Sequence, residues 1–240
     1  MGAARRGRPC RFGALQIPGF AVFLRAIAIG RAGEKMLRLD HLAVSAVTLE
    51  AGVAAIEERL GVRLAAGGRH AAMGTHNRLM ALAPGLYLEV IAIDPDAPPP
   101  GHPRWFDLDN FAGLPRLTNW VARCDDLQGA LARAPRGAGR PVSLARGDLR
   151  WQMAVPADGR LPFDGLFPAL IAWQGSLHPA PMLPETGCRL AGLELYHPRA
   201  DDLRRALTGL LDDPLVAVHP GNEIAIRALI DTPAGRRVLE

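Results

Sequence analysis

Leu39-Asp40-His41-Leu42-Ala43 is matched further along the chain by Leu117-Thr118-Asn119-Trp120-Val121, and more faintly by Leu190-Ala191-Gly192-Leu193-Glu194. Each stretch opens a short apolar strand that a helical pattern follows, so one strand-then-helix unit recurs. The spacing between copies is too long for a solenoid and suits a paired module.

Around the first copy, residues 37–45 alternate as a strand, and Leu49, Val53, Ile56 and Leu60 recur at helical spacing until Gly61 stops the helix. Extended segments at 62–66, 75–82 and 86–93 follow, with Ala83-Pro84-Gly85 turning between the last two. The second copy repeats the β-α-β-β-β order: strand 117–123, helix 126–134, then strands at 141–145, 149–155 and 167–173. Between them Pro95, Pro98, Pro99, Pro100, Gly101 and Pro103 forbid a continuing sheet, so the stretch 95–115 reads as a surface connection. The third copy offers a strand at 189–196, a helix at 200–211 and strands at 215–219 and 223–231. It reads as a βαββ half-module, over 187–235, that extends or covers the sheet of the other two.

The expected fold class is therefore α+β, with βαβββ modules at 36–94 and 116–176 and an additional C-terminal half-module. Residues 1–35 read as a poorly structured N-terminal extension. Arg5, Arg6, Arg8 and Arg11 precede an interrupted apolar run that ends near Ala26-Ile27-Ala28, so the alternative is a signal peptide within residues 1–28 and export. With the extension as the preferred reading, the expected location is the cytoplasm. No stretch has the length or continuity of a transmembrane helix, and no membrane association is expected. The net charge of +4 owes much to the first 38 positions. The basic residues of the body form no stripe and carry no stacking aromatics, so no nucleic-acid partner is expected. Cys10, Cys124 and Cys188 are too few and too scattered for a disulfide framework or a zinc knuckle.

Paired βαβββ modules with a histidine on the first strand and a glutamate on the fourth resemble the vicinal oxygen chelate superfamily. More narrowly, Leu39-Asp40-His41-Leu42, Gly74-Thr75-His76-Asn77-Arg78-Leu79 and Tyr87-Leu88-Glu89-Val90-Ile91 resemble its glyoxalase-like domain proteins, of the glyoxalase/bleomycin-resistance/dioxygenase-like fold. The resemblance implies a cleft between curved sheets and a divalent metal held from the first and fourth strands of each module. Of the four ligand positions it implies, His41 and Glu89 are chemically suited. Aligning the copies sets Asn119 opposite His41 and Ala169 opposite Glu89, and an alanine ligates nothing.

Period two places His41 with Leu39 and Ala43, Glu89 with Tyr87 and Ile91, and His76 with Arg78 and Met80. If these faces line the cleft, His41, His76 and Glu89 form a set suited to Fe, Mn or Zn, with Glu89 also the catalytic carboxylate. The alternative is that His41 and Glu89 bond each other in a metal-free cleft. Asn77, Arg78, Asn119 and Trp120 are substrate-contact candidates, with core packing the competing role for Trp120 and Trp173. His70, His102, His178, His197 and His219 lie in or beside loops and read as surface residues.

Two functions compete. The first is a glyoxalase-like lyase, isomerase or dioxygenase acting on a small oxygenated metabolite, for which His41→Ala and Glu89→Gln should keep the fold and abolish turnover. The second is a metal-independent protein that sequesters a small-molecule ligand in the same cleft, whose binding would survive chelator dialysis. The sheet edge of the last half-copy would also suit a homodimer.

Overall fold

The computed structural model describes residues 37–82 and 84–240. The predicted N-terminal extension and the alternative signal peptide lie outside the described residues. Strands β1 (Arg38–Ser45), β2 (Ala65–His70), β3 (Thr75–Ala81) and β4 (Tyr87–Ile93) and helix α1 (Leu49–Leu60) form the first module. The second comprises β5 (Arg116–Arg123), α2 (Leu127–Arg133), β6 (Arg140–Arg146), β7 (Leu149–Val155) and β8 (Ala169–Gln174). All eight strands belong to one curled sheet of order β2-β3-β4-β1-β5-β8-β7-β6.

The duplication holds in space. In the first module β1 runs parallel to β4 with Ala43 beside Glu89, and in the second β5 runs parallel to β8 with Val121 beside Ala169. The structural register thus sets Ala169 in the place of Glu89, as the sequence alignment does. The modules join where β1 and β5 pair antiparallel.

Helix α1 begins where the Thr48 side chain accepts from the Ala51 N–H and ends at Gly61, left-handed at φ 72. Its buried stripe is Leu49, Gly52, Ile56 and Leu60. At Gly52 a methyl group would stand 2.6 Å from Val90 Cγ1, so glycine is what lets the helix seat this closely on β4.

The sheet has two apolar faces. Leu42, Val44, Leu88, Val90, Trp120 and Leu170 belong to the outer core, with α1 and the C-terminal unit. That unit contains β9 (Arg189–His197), α3 (Ala200–Leu207), β10 (Val216–Pro220), β11 (Ala225–Thr232) and β12 (Gly235–Leu239), forming a separate sheet of order β10-β9-β11-β12. The expectation of a half-module one strand short needs correction, because β12 supplies a fourth strand through a tight turn at Thr232–Gly235. The order also differs from the modules: β10 pairs directly with β9, in parallel, and β11 lies on the other side of β9. It covers the first sheet rather than extending it, with Leu193, Leu195, Ala228 and Ile230 in the outer core.

On the inner face Ala43, Ile91, Val121, Trp151, Met153, Ala169 and Ile171 pack against Trp105, Phe106, Leu108 and Leu161. The proline-rich connection therefore does more than run over the surface. Its 3-10 segment, Trp105–Asn110, buries Trp105, Phe106 and Leu108 and plugs the cleft.

Candidate active site

β1 departs from simple alternation where the site begins. Leu39 pairs with Ala122 and His41 with Val121, so Asp40 is an extra residue, a β-bulge. Leu39 consequently belongs to the outer core, contrary to the period-two reading, while Asp40 and His41 both serve the inner side. Asp40 is wholly buried, and its Oδ1 lies 2.6 Å from His41 Nδ1. Its Oδ2 accepts from Trp173 Nε1 at 3.1 Å, lies 3.0 Å from His178 Nε2 and meets Arg123 at 3.5 Å.

On the far side of the ring, His41 Nε2 stands 3.6 Å from Glu89 Oε2. That is an ionic contact, too long for a hydrogen bond. The Tyr87 ring stacks on the imidazole at 4.4 Å and fixes its plane. Glu89 Oε1 accepts from Asn77 Nδ2 at 2.5 Å. Asn77 Oδ1 in turn accepts from Gly68 N at 2.8 Å and from the Arg146 guanidinium at 3.0 Å. Arg146 ends β6, the opposite edge of the curled sheet, so the second module closes the first module's site. His70 Nδ1 lies 3.0 Å from Thr75 Oγ1, and its Nε2 faces Asn77 and Arg146.

Burial alone would discharge this cluster, yet its charges support one another. Burial opposes the His41 cation, but Asp40 and Glu89 more than offset this and raise its pKa from 6.5 to about 9. Burial likewise opposes the Glu89 carboxylate, which His41 and Asn77 hold down at about 2. Asp40, opposed by burial, is held well below the usual carboxylate range by His178 and His41. His70 has no such counter-charge bonded to it, and burial lowers its pKa to about 4. At neutral pH the line is carboxylate, imidazolium, carboxylate, beside a neutral imidazole.

His41, Glu89 and His70 line a cavity of about 30 Å³, walled by Trp105, Trp151 and Trp173, with Asp40 buried behind the His41 ring. A second cavity of about 620 Å³ opens between the second module and the C-terminal sheet, and Phe106 lines both.

Of the residues singled out from sequence, His41, Glu89 and Asn77 meet at the inner cavity. His76 and Arg78 do not. Asn77 and Leu79 are the inward residues of β3, so His76, Arg78 and Met80 face outward, where Met80 joins the outer core. Arg78 lies near enough to Glu57 of α1 to stabilise that carboxylate. The more polar side of β3 is its outer side, which inverts the expected orientation. Trp120 is fully buried in the outer core and donates to the Leu166 carbonyl at 2.9 Å, a packing role. Asn119 lines the larger cavity and donates to the Gly165 carbonyl at 3.3 Å.

Three histidines read as surface residues are not. His70 and His197 are buried, and His178 is partly buried beside Asp40. Asp40 had a visible signal, an acid between apolar strand residues, whose burial needs partners. Arg146 had none, since only sheet closure brings it in.

A resident metal would have to be held by this donor set. His41 Nε2 and Glu89 Oε2 are close enough to share one ion. The duplicated positions add Ala169, which has no donor, and Asn119, which belongs to the other cavity. Among the described residues no group of three or more His, Cys, Asp or Glu converges to hold an ion. The Asn77 oxygen is already taken by Arg146 and Gly68. The orphaned polar group of the cavity wall is a donor, the buried Trp105 Nε1–H, without a partner among the described residues. A ligand oxygen satisfies such a group and a cation does not. The residues do not fit a metal centre.

Comparison with known proteins agrees with the architecture. A protein described as a hypothetical protein from Staphylococcus aureus superposes over 79% of this chain and 88% of its own, at 13% identity and a TM-score of 0.55. Methylmalonyl-CoA epimerase from Mycobacterium tuberculosis covers 58% of this chain and 88% of its own, at 18% identity and 0.38. A point variant of the Streptomyces coelicolor methylmalonyl-CoA epimerase in complex with 2-nitronate-propionyl-CoA covers 59% of this chain and 99% of its own, at 14% identity and 0.39. No curated protein matches. Among the described residues no helix is long and apolar enough to cross a membrane. The glyoxalase-like domain family model matches residues 39–211, most of the two-module sheet and the start of the C-terminal unit, and this chain belongs to that family.

Proposed function

We propose that the chain is a metal-independent enzyme that moves a proton next to a carbonyl in a small oxygenated metabolite, an isomerase-type reaction. The observation that carries the reading is the geometry of the His41 ring, its Nδ1 2.6 Å from Asp40 Oδ1 and its Nε2 on the cavity side, 3.6 Å from Glu89 Oε2.

A substrate carbonyl oxygen accepts from His41 Nε2–H, while Glu89 faces the carbon next to it. Glu89 takes the proton from that carbon, the C–H pair becomes the new C=C bond, and the carbonyl oxygen takes the Nε2 proton to give an enol. At a pKa of about 2 the Glu89 carboxylate is a weak base while His41 is charged. As the Nε2 proton leaves, the positive charge that depresses Glu89 vanishes and its basicity rises, so the two transfers assist each other. Asp40 keeps Nδ1 protonated throughout, and Tyr87 keeps the ring in plane. Return of the Glu89 proton to another face or carbon gives the isomer.

The experiment is proton exchange in D2O, followed by NMR across small α-keto acids and α-hydroxy ketones. Exchange above the buffer rate is expected with the wild type, falling at least about a hundredfold in Glu89→Gln. Equal exchange in both proteins would remove Glu89 from the reaction. Tight binding of such compounds with no exchange by the wild type would replace the enzyme with a sequestering protein.

A further inference from the structure

We propose that the larger cavity is a binding site for the uncharged, partly apolar part of the substrate, and that Phe106 is the partition between it and the reaction chamber. This rests on the proton-transfer reading for the identity of the inner chamber, and it names the substrate class: a molecule with a small carbonyl head and a neutral tail.

The volumes set the problem. About 30 Å³ at His41 and Glu89 holds a water or two, whereas about 620 Å³ lies within the range of small-molecule sites. Only the head of a substrate fits beside the catalytic groups, and Phe106 is the side chain common to both walls.

Most charges of the outer wall are already paired. Arg160 meets Asp107 at 3.2 Å, Asp164 meets His197 at 3.1 Å, and Glu240 meets Arg227 at 2.7 Å. The Arg116 guanidinium lies 4.4 Å over the Phe111 ring and donates to backbone carbonyls. Arg116 is exposed at the rim; deeper in, the wall charges are paired, and a neutral tail meets Phe106, Leu161 and Ile226. Asn119, the counterpart of His41 in the duplicated module, is buried on this wall. The position that holds the acid in one chamber offers an amide to the tail in the other.

The backbone marks the same place independently. Among the described residues the positive-φ non-glycine residues are two Phe-Asp pairs, Phe106 (φ 59) with Asp107 (φ 52) and Phe163 (φ 55) with Asp164 (φ 55). Phe106, Asp107 and Asp164 line the outer cavity. Such strained residues persist only where the surroundings hold them, and relaxation of Phe106 is the movement that joins the chambers.

The test uses Nile red, an uncharged amphiphile, and diethyl pyrocarbonate, which modifies neutral imidazoles. His70 lines the inner chamber and exposed His102 is the internal reference. Saturable binding of one Nile red per chain is expected, weakened about tenfold by Ile224→Asp at the cavity rim, equivalent to ~1.4 kcal/mol. Bound Nile red should slow His70 modification, and Phe106→Ala should speed it about tenfold by opening the partition, with His102 unchanged. Phe106→Leu carries the same test with a smaller effect where the alanine variant does not fold. Nile red binding indifferent to Ile224→Asp, or His70 modification indifferent to both dye and partition, overturns the proposal. Neither readout involves turnover, so the proposal can fail while Glu89-dependent exchange persists, and can hold where exchange fails.

Discussion

Asp40 and His41 are neighbours in sequence and partners in space, and one extra backbone residue makes the difference. Their charges dictate a specific dependence of stability on pH. The His41 pKa is raised from 6.5 to about 9, so its contribution is full below about pH 6.5 and is lost as pH rises to about 9. The His70 pKa is lowered from 6.5 to about 4, so its contribution is full above about pH 6.5 and is lost as pH falls to about 4. Glu89, held at about 2, adds a further loss below its ordinary 4.5. Thermal unfolding midpoints should therefore peak near pH 6.5, with each histidine limb on the order of 3 kcal/mol. His70→Gln should flatten the acid limb and leave the alkaline one; equal limbs in variant and wild type would contradict the assignment. At this scale the sequence was partly legible. His41 and Glu89 stood out because a histidine and a glutamate interrupt apolar strands, but the orientation of His76 and Arg78 did not, because β3 carries polar side chains on both faces.

Elements were legible wherever one periodicity ruled. Strands β1, β4, β5 and β7 and helix α1 lie close to their predicted spans, since each is dense in apolar residues and bounded by turn or connection residues. β2 starts later than its predicted span because Ala65-Ala66-Gly67-Gly68 has little apolar pattern, and only pairing with β3 defines it. The same weak pattern hid His70. Trp120 illustrates a packing role that sequence left open between core and ligand. Trp120→Ala should cost about 3–5 kcal/mol in chemical denaturation, with little effect on ligand contacts. The 3-10 segment is held by a close approach at Gly159, whose φ is +76 and where a methyl group would stand 2.2 Å from the Arg104 carbonyl oxygen. Gly159→Ala should displace the plug, lowering the unfolding midpoint and raising acrylamide quenching of the cavity tryptophans. Unchanged quenching would show that the plug is held elsewhere.

At the scale of the whole molecule, duplication explains both the site and its asymmetry. Two modules curl one sheet until its outer edges meet at Arg146, and of the equivalent positions only those of the first copy hold an imidazole and a carboxylate. The repeat made the modules legible in sequence, whereas the cleft-filling connection and the fourth strand of the C-terminal sheet depend on long-range packing that no local pattern records. That sheet shares the outer core with α1, and Glu240, just after β12, accepts the Leu117 N–H through its carbonyl at 3.0 Å. Deleting the chain from residue 187 onward should expose Leu42, Leu88 and Trp120 and yield aggregated protein; a monomeric, cooperatively folding truncation would contradict the shared core. The chemistry of the site depends above all on the state of one ring. Histidine 15N NMR of the wild type at pH 8, with His41→Gln to assign the signal, should find both His41 nitrogens protonated and remaining so until about pH 9. A neutral or metal-bound His41 at that pH would contradict the carboxylate–imidazolium–carboxylate line.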